Sequence, residues 1–439
     1  MHDTTAIAAP EKAAPEKAAA ETAAAETAKP EMGMPPHKPR AGKYANPRYA
    51  ELYRNYPTID YLRRRARRRL PHFAFEYCDG GSGKEDAGIK RNWAALDAVE
   101  LVPRYGVMPS LPPCEVELFG RRYAAPIGIA PMGGPAIVWP GADIYLARAA
   151  QRARIPYTLG TVGCATIEKI AEIAPDVFWF QLYRAARNDH AIGFDLVRRA
   201  QAAGCHALVL TIDVPVRTTR AREVVVGLGG AFHPDFGKIM QMLRSPAWTM
   251  ALRQNGIPRF SNLRAYAGDV SINDMVAFAR REMGGAFTWE EVAKYRDRWK
   301  GTLIVKGILH PQDAEKAVSL GVDGMFVSNH GGRQIEALPA PIDALPAIVK
   351  QVGKRSTVMM DSGIRSGTDV VRAYALGAAA AFAGKAFLWG LGALGEEGPG
   401  HVIELLIEET QAALGQLGAH TPDEARSVVI RHKGALQFS

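Results

Sequence analysis

The 439-residue sequence has only four cysteines, Cys78, Cys114, Cys164 and Cys205, with no CxxC pair and no zinc-ligand spacing. That argues against a disulfide framework or a structural metal module, and fits a reducing, cytoplasmic compartment. No hydrophobic signal core opens the sequence. Long apolar runs are scarce as well. The longest, 374–395, is interrupted by Lys385 and five glycines, which predicts a buried strand followed by a helix rather than a membrane span. No GxGxxG stands at an early strand end, which disfavours a doubly wound nucleotide-binding sheet. Large apolar side chains are almost missing from residues 1–43, an Ala/Pro/Glu/Lys near-repeat (PEKAA, PEKAA, ETAAA) that reads as a disordered tail.

Charge of one sign is also confined. The formal net charge is +9, but six arginines sit in residues 63–69, leaving +3 for everything else. A nucleic-acid protein spreads basic residues over a face. Here Leu62, Ala66 and Leu70 fall at helical spacing, so the arginines are expected to fan over the exposed sides of one helix. No nucleic-acid partner is expected; a contact with an anionic membrane surface is the functional alternative.

What is present is a repeated pattern. From residue 126 onward, eight short apolar runs alternate with amphipathic segments: 126–132, 157–161, 177–183, 207–213, 302–307, 324–330, 357–363 and 380–385. Helical periodicity marks 142–154, 190–203, 311–320, 341–352 and 366–376. Eight strands alternating with helices predict an α/β fold, a (β/α)8 TIM barrel spanning 126–439, preceded by an N-terminal helical region at 44–125. Between strand four and strand five lie 88 residues, of which roughly 214–286 form an insertion on the βα side. Its segment 236–254 mixes Met, Leu and Trp with basic residues and suits either packing on the barrel or a membrane surface.

Barrel strands converge at their carboxyl ends. Those ends carry Gly133, Thr161, Gln181 with Tyr183, Thr211 with Asp213, Lys306, His330 with Arg333, Asp361 with Arg365, and Lys385. His330 in SNHGGRQ is a candidate general base. Arg333 is a candidate carboxylate clamp, and Asp213 a candidate partner for the imidazole. Gly363 and Gly384, with Arg365 and Lys385, close strands seven and eight, where barrels bind phosphate. Lys306 is a separate inward cation suited to an anionic ring.

These segments, together with FWFQLY, LTIDVP, IVKGI and DSGIRSGTDVVRAYALGA, resemble the FMN-dependent 2-hydroxy-acid dehydrogenases and oxidases, from about Pro57 to the C-terminus. The insertion segment 245–263 looks most like the membrane-associated lactate and mandelate dehydrogenases of bacteria. The resemblance implies FMN as cofactor and oxidation of an L-2-hydroxy acid to the 2-oxo acid. Electrons would pass to a quinone, a cytochrome or oxygen. It also implies a homotetramer, peripheral at the inner membrane face. It assigns His330 and Asp213 to catalysis, and Tyr77, Tyr183, Arg220 and Arg333 to the substrate. Pro131, Met132, Gly133, Thr161, Gln181, Thr211 and Lys306 are assigned to the flavin ring. Asp361, Gly363, Arg365, Gly384 and Lys385 are assigned to its ribityl and phosphate end.

Three positions depart from the family pattern. Lys385 stands where the family has Arg, keeping charge but losing the guanidinium fork. Thr161 stands where a flavin-contacting Ser is usual. Val162 replaces a larger side chain, which leaves room for a substrate bulkier than glycolate. The alternatives are an oxygen-using oxidase, another phosphate-binding barrel of the IMP-dehydrogenase kind, for which no cysteine sits in the required motif, or a basic interaction protein using residues 63–69.

Overall fold

Eight short parallel strands close into a barrel in the computed structural model, which describes residues 47–106, 111–228 and 233–438. The strands are β1 (Ile127–Ile129), β2 (Tyr157–Gly160), β3 (Phe178–Leu182), β4 (Ala207–Thr211), β5 (Thr302–Ile308), β6 (Gly324–Val327), β7 (Thr357–Asp361) and β8 (Ala381–Ala383). They hydrogen-bond in sequence order, with β8 returning to β1. β2, β3 and β4 are buried at every residue, as strands covered on both faces must be. Each of the eight apolar runs read from the sequence holds one of these strands. The expected disordered tail, 1–43, lies outside the described residues.

The amino-terminal mouth is plugged by a hairpin, Val116–Leu118 with Arg121–Tyr123. Phe119 at its tip packs on Trp179 (centroids 5.8 Å apart), and Tyr123 accepts a hydrogen bond from the Trp179 indole at 3.2 Å. Phe382 and Phe326 fill the space above, 4.7 Å apart and edge to face. Among the described residues this end of the barrel is filled by side chains.

The apolar stretch 374–395 becomes β8 and the buried helix Lys385–Leu394. Against it lies the helix Ile59–Arg69, which buries Leu62 and Ala66. Gly392 permits this approach, since a Cβ there would stand 2.7 Å from Leu70 and 3.0 Å from Ala66. Arg64, Arg65, Arg67 and Arg68 are exposed, as expected of a solvated face. Arg63 and Arg69 are not. Arg69 stacks on Trp139 at 4.4 Å, and Arg63 turns inward.

Arg63 meets Asp79 through two parallel bonds of 2.6 and 3.0 Å. Asp79 ends the helix His72–Asp79 and is 4 % exposed. It also accepts from Trp389 at 3.1 Å and from Arg222 at 3.2 Å. Arg222 reaches Glu76 and Asp86 as well, tying the start of the insertion to the N-terminal segment. The insertion folds into short helices, including Phe236–Leu243, Pro246–Asn255 and Ile272–Glu282. Its middle segment is packed on one side and open on the other. Trp248 and Ala251 are buried, while Phe236, Ile239, Leu243 and Met250 stand exposed. No helix among the described residues is long and apolar enough to cross a membrane.

Burial opposes ionisation of Asp79, but Arg63, Lys385 and Arg222 outweigh it and hold the carboxyl below its ordinary range. A depressed carboxylate contributes stability above its unfolded value, near 4, and loses it as pH falls through the folded value. Asp79→Asn is therefore expected to lower unfolding free energy at pH 7 by about 2 kcal/mol. In urea titrations at several pH values, the gap from the unaltered protein should shrink below about pH 4.

Candidate active site

The carboxyl-terminal mouth opens into a cavity of about 680 Å³. β4 delivers Asp213 two residues beyond its end, β5 delivers Lys306, β7 ends at Asp361, and His330 follows β6. The backbone at His330, Gly331 and Gly332 is left-handed at all three positions (φ +60, +68 and +69°). Ser328 and Ser362 hold this turn by accepting the N–H groups of His330 and Gly331 at 3.1 and 2.8 Å.

His330 Nδ1 lies 3.0 Å from Asp213 Oδ1. A carboxylate only accepts, so Nδ1 carries the hydrogen of that bond and Nε2 offers its lone pair to the cavity. The Tyr183 hydroxyl is 3.3 Å from Nε2. Asp213 is buried, which disfavours its charge, yet His330 and Lys306 hold its carboxyl below the ordinary range. Gly307 makes this approach possible: it sits at φ +114° in a bulge of β5, and a Cβ there would overlap Asp213.

Lys306 donates to Ser328 at 2.7 Å and pairs with Asp361 at 2.8 Å. Burial disfavours its charge, but Asp361 and Asp213 more than offset this and raise its pKa. Gln181 donates to Thr211 at 2.8 Å, and the Thr161 hydroxyl bridges the Gln181 carbonyl and the Tyr183 amide at 2.7 and 2.9 Å.

On the outer side Arg220 and Arg333 converge, with Tyr77 below them. Burial pushes the Tyr77 phenol up to about 12, and its hydroxyl donates to the Gly133 carbonyl. Between the arginines stands Glu223, bonded to Arg333 and 3.5 Å from Arg220. Burial lowers the pKa of Arg220, and the neighbouring Arg333 adds to the effect. At the far end Arg365 donates to Asp97 at 3.0 Å and lies 4.9 Å from the Trp93 ring. Lys385 donates to the Cys78 and Gly80 carbonyls at 2.8 and 2.7 Å. Those carbonyls are dipoles, not charges. Burial and the charge on Arg333 therefore bring Lys385 down to about 7.

Of the sequence-predicted residues, all but four line this cavity. Asp213 stands behind His330. Thr161, Gln181 and Thr211 form a hydrogen-bonded layer that staples β2, β3 and β4 together beneath it. Glu223 was missed, although its place three residues after Arg220 on a helix would have put the two side chains together.

The arrangement is that of a barrel enzyme built to hold anions beside a proton acceptor. A profile of the FMN-dependent dehydrogenases matches residues 66–432. The L-lactate dehydrogenase of Pectobacterium atrosepticum is 38% identical over 364 residues, covering 82% of this chain and 93% of the relative. That of Ectopseudomonas mendocina is 36% identical over 375 residues, covering 85% and 98%. Among solved structures, the monotopic membrane protein (S)-mandelate dehydrogenase superposes with a TM-score of 0.81 at 32% identity, covering 86% of this chain and all of that one. A mandelate oxidase bound to (S)-4-hydroxymandelic acid gives 0.74 at 35%, covering 87% and 100%. The chain belongs to the FMN-dependent dehydrogenase family, and its cofactor is FMN.

The residues present fit that group. The cavity is within the size range of cofactor sites. Arg365 Nε, in the wall beyond β7, is buried without a hydrogen-bond partner among the described residues, a donor prepared for an anion. The helix Lys385–Leu394 begins at the same wall, where the N–H groups of a first turn favour phosphate.

Lys306 compensates two buried carboxylates at once. Lys306→Met keeps the volume and removes the charge, leaving Asp361 and Asp213 without it. Unfolding free energy is expected to drop by about 3–5 kcal/mol, measured by urea denaturation.

Proposed function

We propose that the chain oxidises an L-2-hydroxy acid to the corresponding 2-oxo acid and passes the electrons to a membrane quinone. The Asp213–His330–Tyr183 relay facing the Arg220/Arg333 pair across the FMN cavity carries this reading. When bound, FMN accepts the two electrons and the hydrogen that the oxidation releases. Arg220 and Arg333 grip the substrate carboxylate. Tyr183 and Tyr77 orient it. The hydroxyl then lies at His330 Nε2, which takes its proton, and Asp213 stabilises the imidazolium that forms. Lys306, behind the ring site, favours negative charge developing there. Pro131, Met132 and Gly133, with Thr161, Gln181 and Thr211, would hold the ring, while Asp361, Gly363 and Gly384 would hold the ribityl and phosphate end, with Arg365 and Lys385 supplying charge.

The substrate side chain is larger than the hydrogen of glycolate. Val162, Phe260, Val276, Ala279 and Met283 line the cavity and make that part apolar. The L-lactate and (S)-mandelate dehydrogenases among the relatives support the same class. A quinone acceptor and a peripheral place on the inner membrane face are supported by the exposed row Phe236, Ile239, Leu243 and Met250, and by the monotopic neighbour. A homotetramer is carried forward on the resemblance.

Anaerobic addition of lactate, mandelate, glycolate and longer 2-hydroxy acids should bleach the flavin, fastest with the bulkier acids. Reoxidation should be fast with a quinone and slow with oxygen. His330→Ala is expected to retain FMN and lose bleaching by at least about a thousandfold; normal reduction in that variant would remove the assignment.

Lys385 gives a pH dependence. With its pKa near 7 in the absence of the cofactor, it is charged below that pH and neutral above. FMN affinity of the apoprotein should therefore weaken as pH rises through 7, by up to about tenfold per unit. Lys385→Arg keeps its charge and should flatten the profile, measured by quenching of flavin fluorescence.

A further inference from the structure

The Arg220/Arg333 pair already holds a carboxylate. One Glu223 oxygen bonds Arg333 and lies 3.5 Å from Arg220, so a single acceptor spans both guanidiniums. Resting on the hydroxy-acid reading above, we infer that Glu223 is a resident competitor for the clamp, which the substrate carboxylate must displace and which returns as the product leaves.

Three observations carry this. Glu223 lines the cavity with the two arginines, so it occupies the space an incoming carboxylate needs. Its side chain is 12% exposed and that of Arg333 17%, so the pair is only weakly screened by solvent. The helix that bears it, Ala221–Val225, contains no buried residue, and Val224 and Val225 face solvent. Little packing therefore holds the Glu223 side chain in place beyond its ion pairs. The backbone itself is fixed next door, where Arg222 is bonded to Glu76, Asp79 and Asp86. The movement is thus a rotation of one side chain and needs no opening of the insertion.

The consequence concerns binding rather than bond-making. Two guanidiniums facing one another hold any carboxylate tightly, and substrate and product both carry one. An acidic group that neutralises part of this charge weakens both equally, which raises KM and speeds product departure. Glu223 in this sense lowers the affinity of every 2-hydroxy acid by the same factor, so that tight binding falls to the side chain and its contacts with the apolar wall at Val162, Ala279 and Met283.

The test uses the FMN-loaded protein and ligands that cannot be oxidised. Benzoate binding, read from the perturbation of the flavin absorbance, should tighten about tenfold in Glu223→Gln, the size of one removed like-charge contact in a half-buried site. Glu223→Asp, one methylene shorter but still charged, should tighten less. Benzamide, the neutral counterpart, should bind all three proteins alike. The inference is overturned if benzoate binds Glu223→Gln and Glu223→Asp no better than the unaltered protein, because Glu223 then only positions the arginines. It is equally overturned if benzamide tightens as much as benzoate, because the variants have then merely enlarged the cavity. Neither measurement needs turnover, so a failure of every hydroxy acid to bleach the unaltered flavin would sink the proposed function and leave this result readable.

Discussion

The structure depends on a chain of buried charges drawn from four neighbouring strands. Asp361 from β7 pairs with Lys306 from β5, Lys306 supports the charge of Asp213 after β4, and Asp213 holds His330 after β6. Each group alone would be costly in the interior. Asp361, Lys306 and Asp213 alternate in sign, so each makes its neighbour tolerable, and His330 closes the chain as a hydrogen-bond donor to Asp213. Four adjacent parallel strands bring these groups, far apart in sequence, to one mouth. The fold is thus a precondition of the site's electrostatics as well as of its shape.

The same logic extends outward through the N-terminal segment. Asp79 collects Arg63, Arg222 and the Trp389 indole, and the carbonyls on either side of it receive Lys385. The wall of the cavity is therefore tied at once to the Arg-rich helix, the insertion and the last barrel helix. This explains why that helix does more than present a basic face. Four of its arginines meet solvent, while Arg63 is drawn in to the buried Asp79 and lies over the Trp93 and Trp389 rings.

The barrel was legible because strand periodicity is local. Seven of the eight strands fall within apolar runs that could be read without knowing what they pair with, β5 extends one residue past its run, and barrel topology brings Lys306, His330 and Asp361 to one mouth. The SNHGGRQ turn was legible for a similar reason, since paired glycines after a strand announce a left-handed turn. What could not be read was pairing across long separations. Glu223 meets Arg333 from 110 positions away, and Arg63 meets Asp79 through the geometry of two successive helices. The resemblance assigns Thr161, Gln181 and Thr211 to the flavin ring; the hydrogen bonds that tie their side chains to one another and to the backbone are set by strand register, which no residue type announces.

Several cations at this mouth already hold an anion, although Arg365 keeps its Nε without a partner among the described residues. Arg333 holds Glu223, Arg365 holds Asp97, and Lys306 holds Asp361. Lys385 has only carbonyl dipoles, and it is the one whose charge is easily given up. Arg220, at 3.5 Å from its carboxylate, has a loose partner and its pKa is likewise lowered. A half-buried cavity cannot keep several like charges without compensation. An incoming carboxylate or phosphate thus exchanges partners rather than neutralising bare charge. Affinity is then governed by how good the resident partner is, which differs from one cation to the next. Lys385 and Arg220 flank Arg333: Lys385 shares the Gly80 carbonyl with it, and Arg220 shares Glu223. Three cations thus stand side by side with one carboxylate among them, and an anion entering there claims charge that is already poorly compensated.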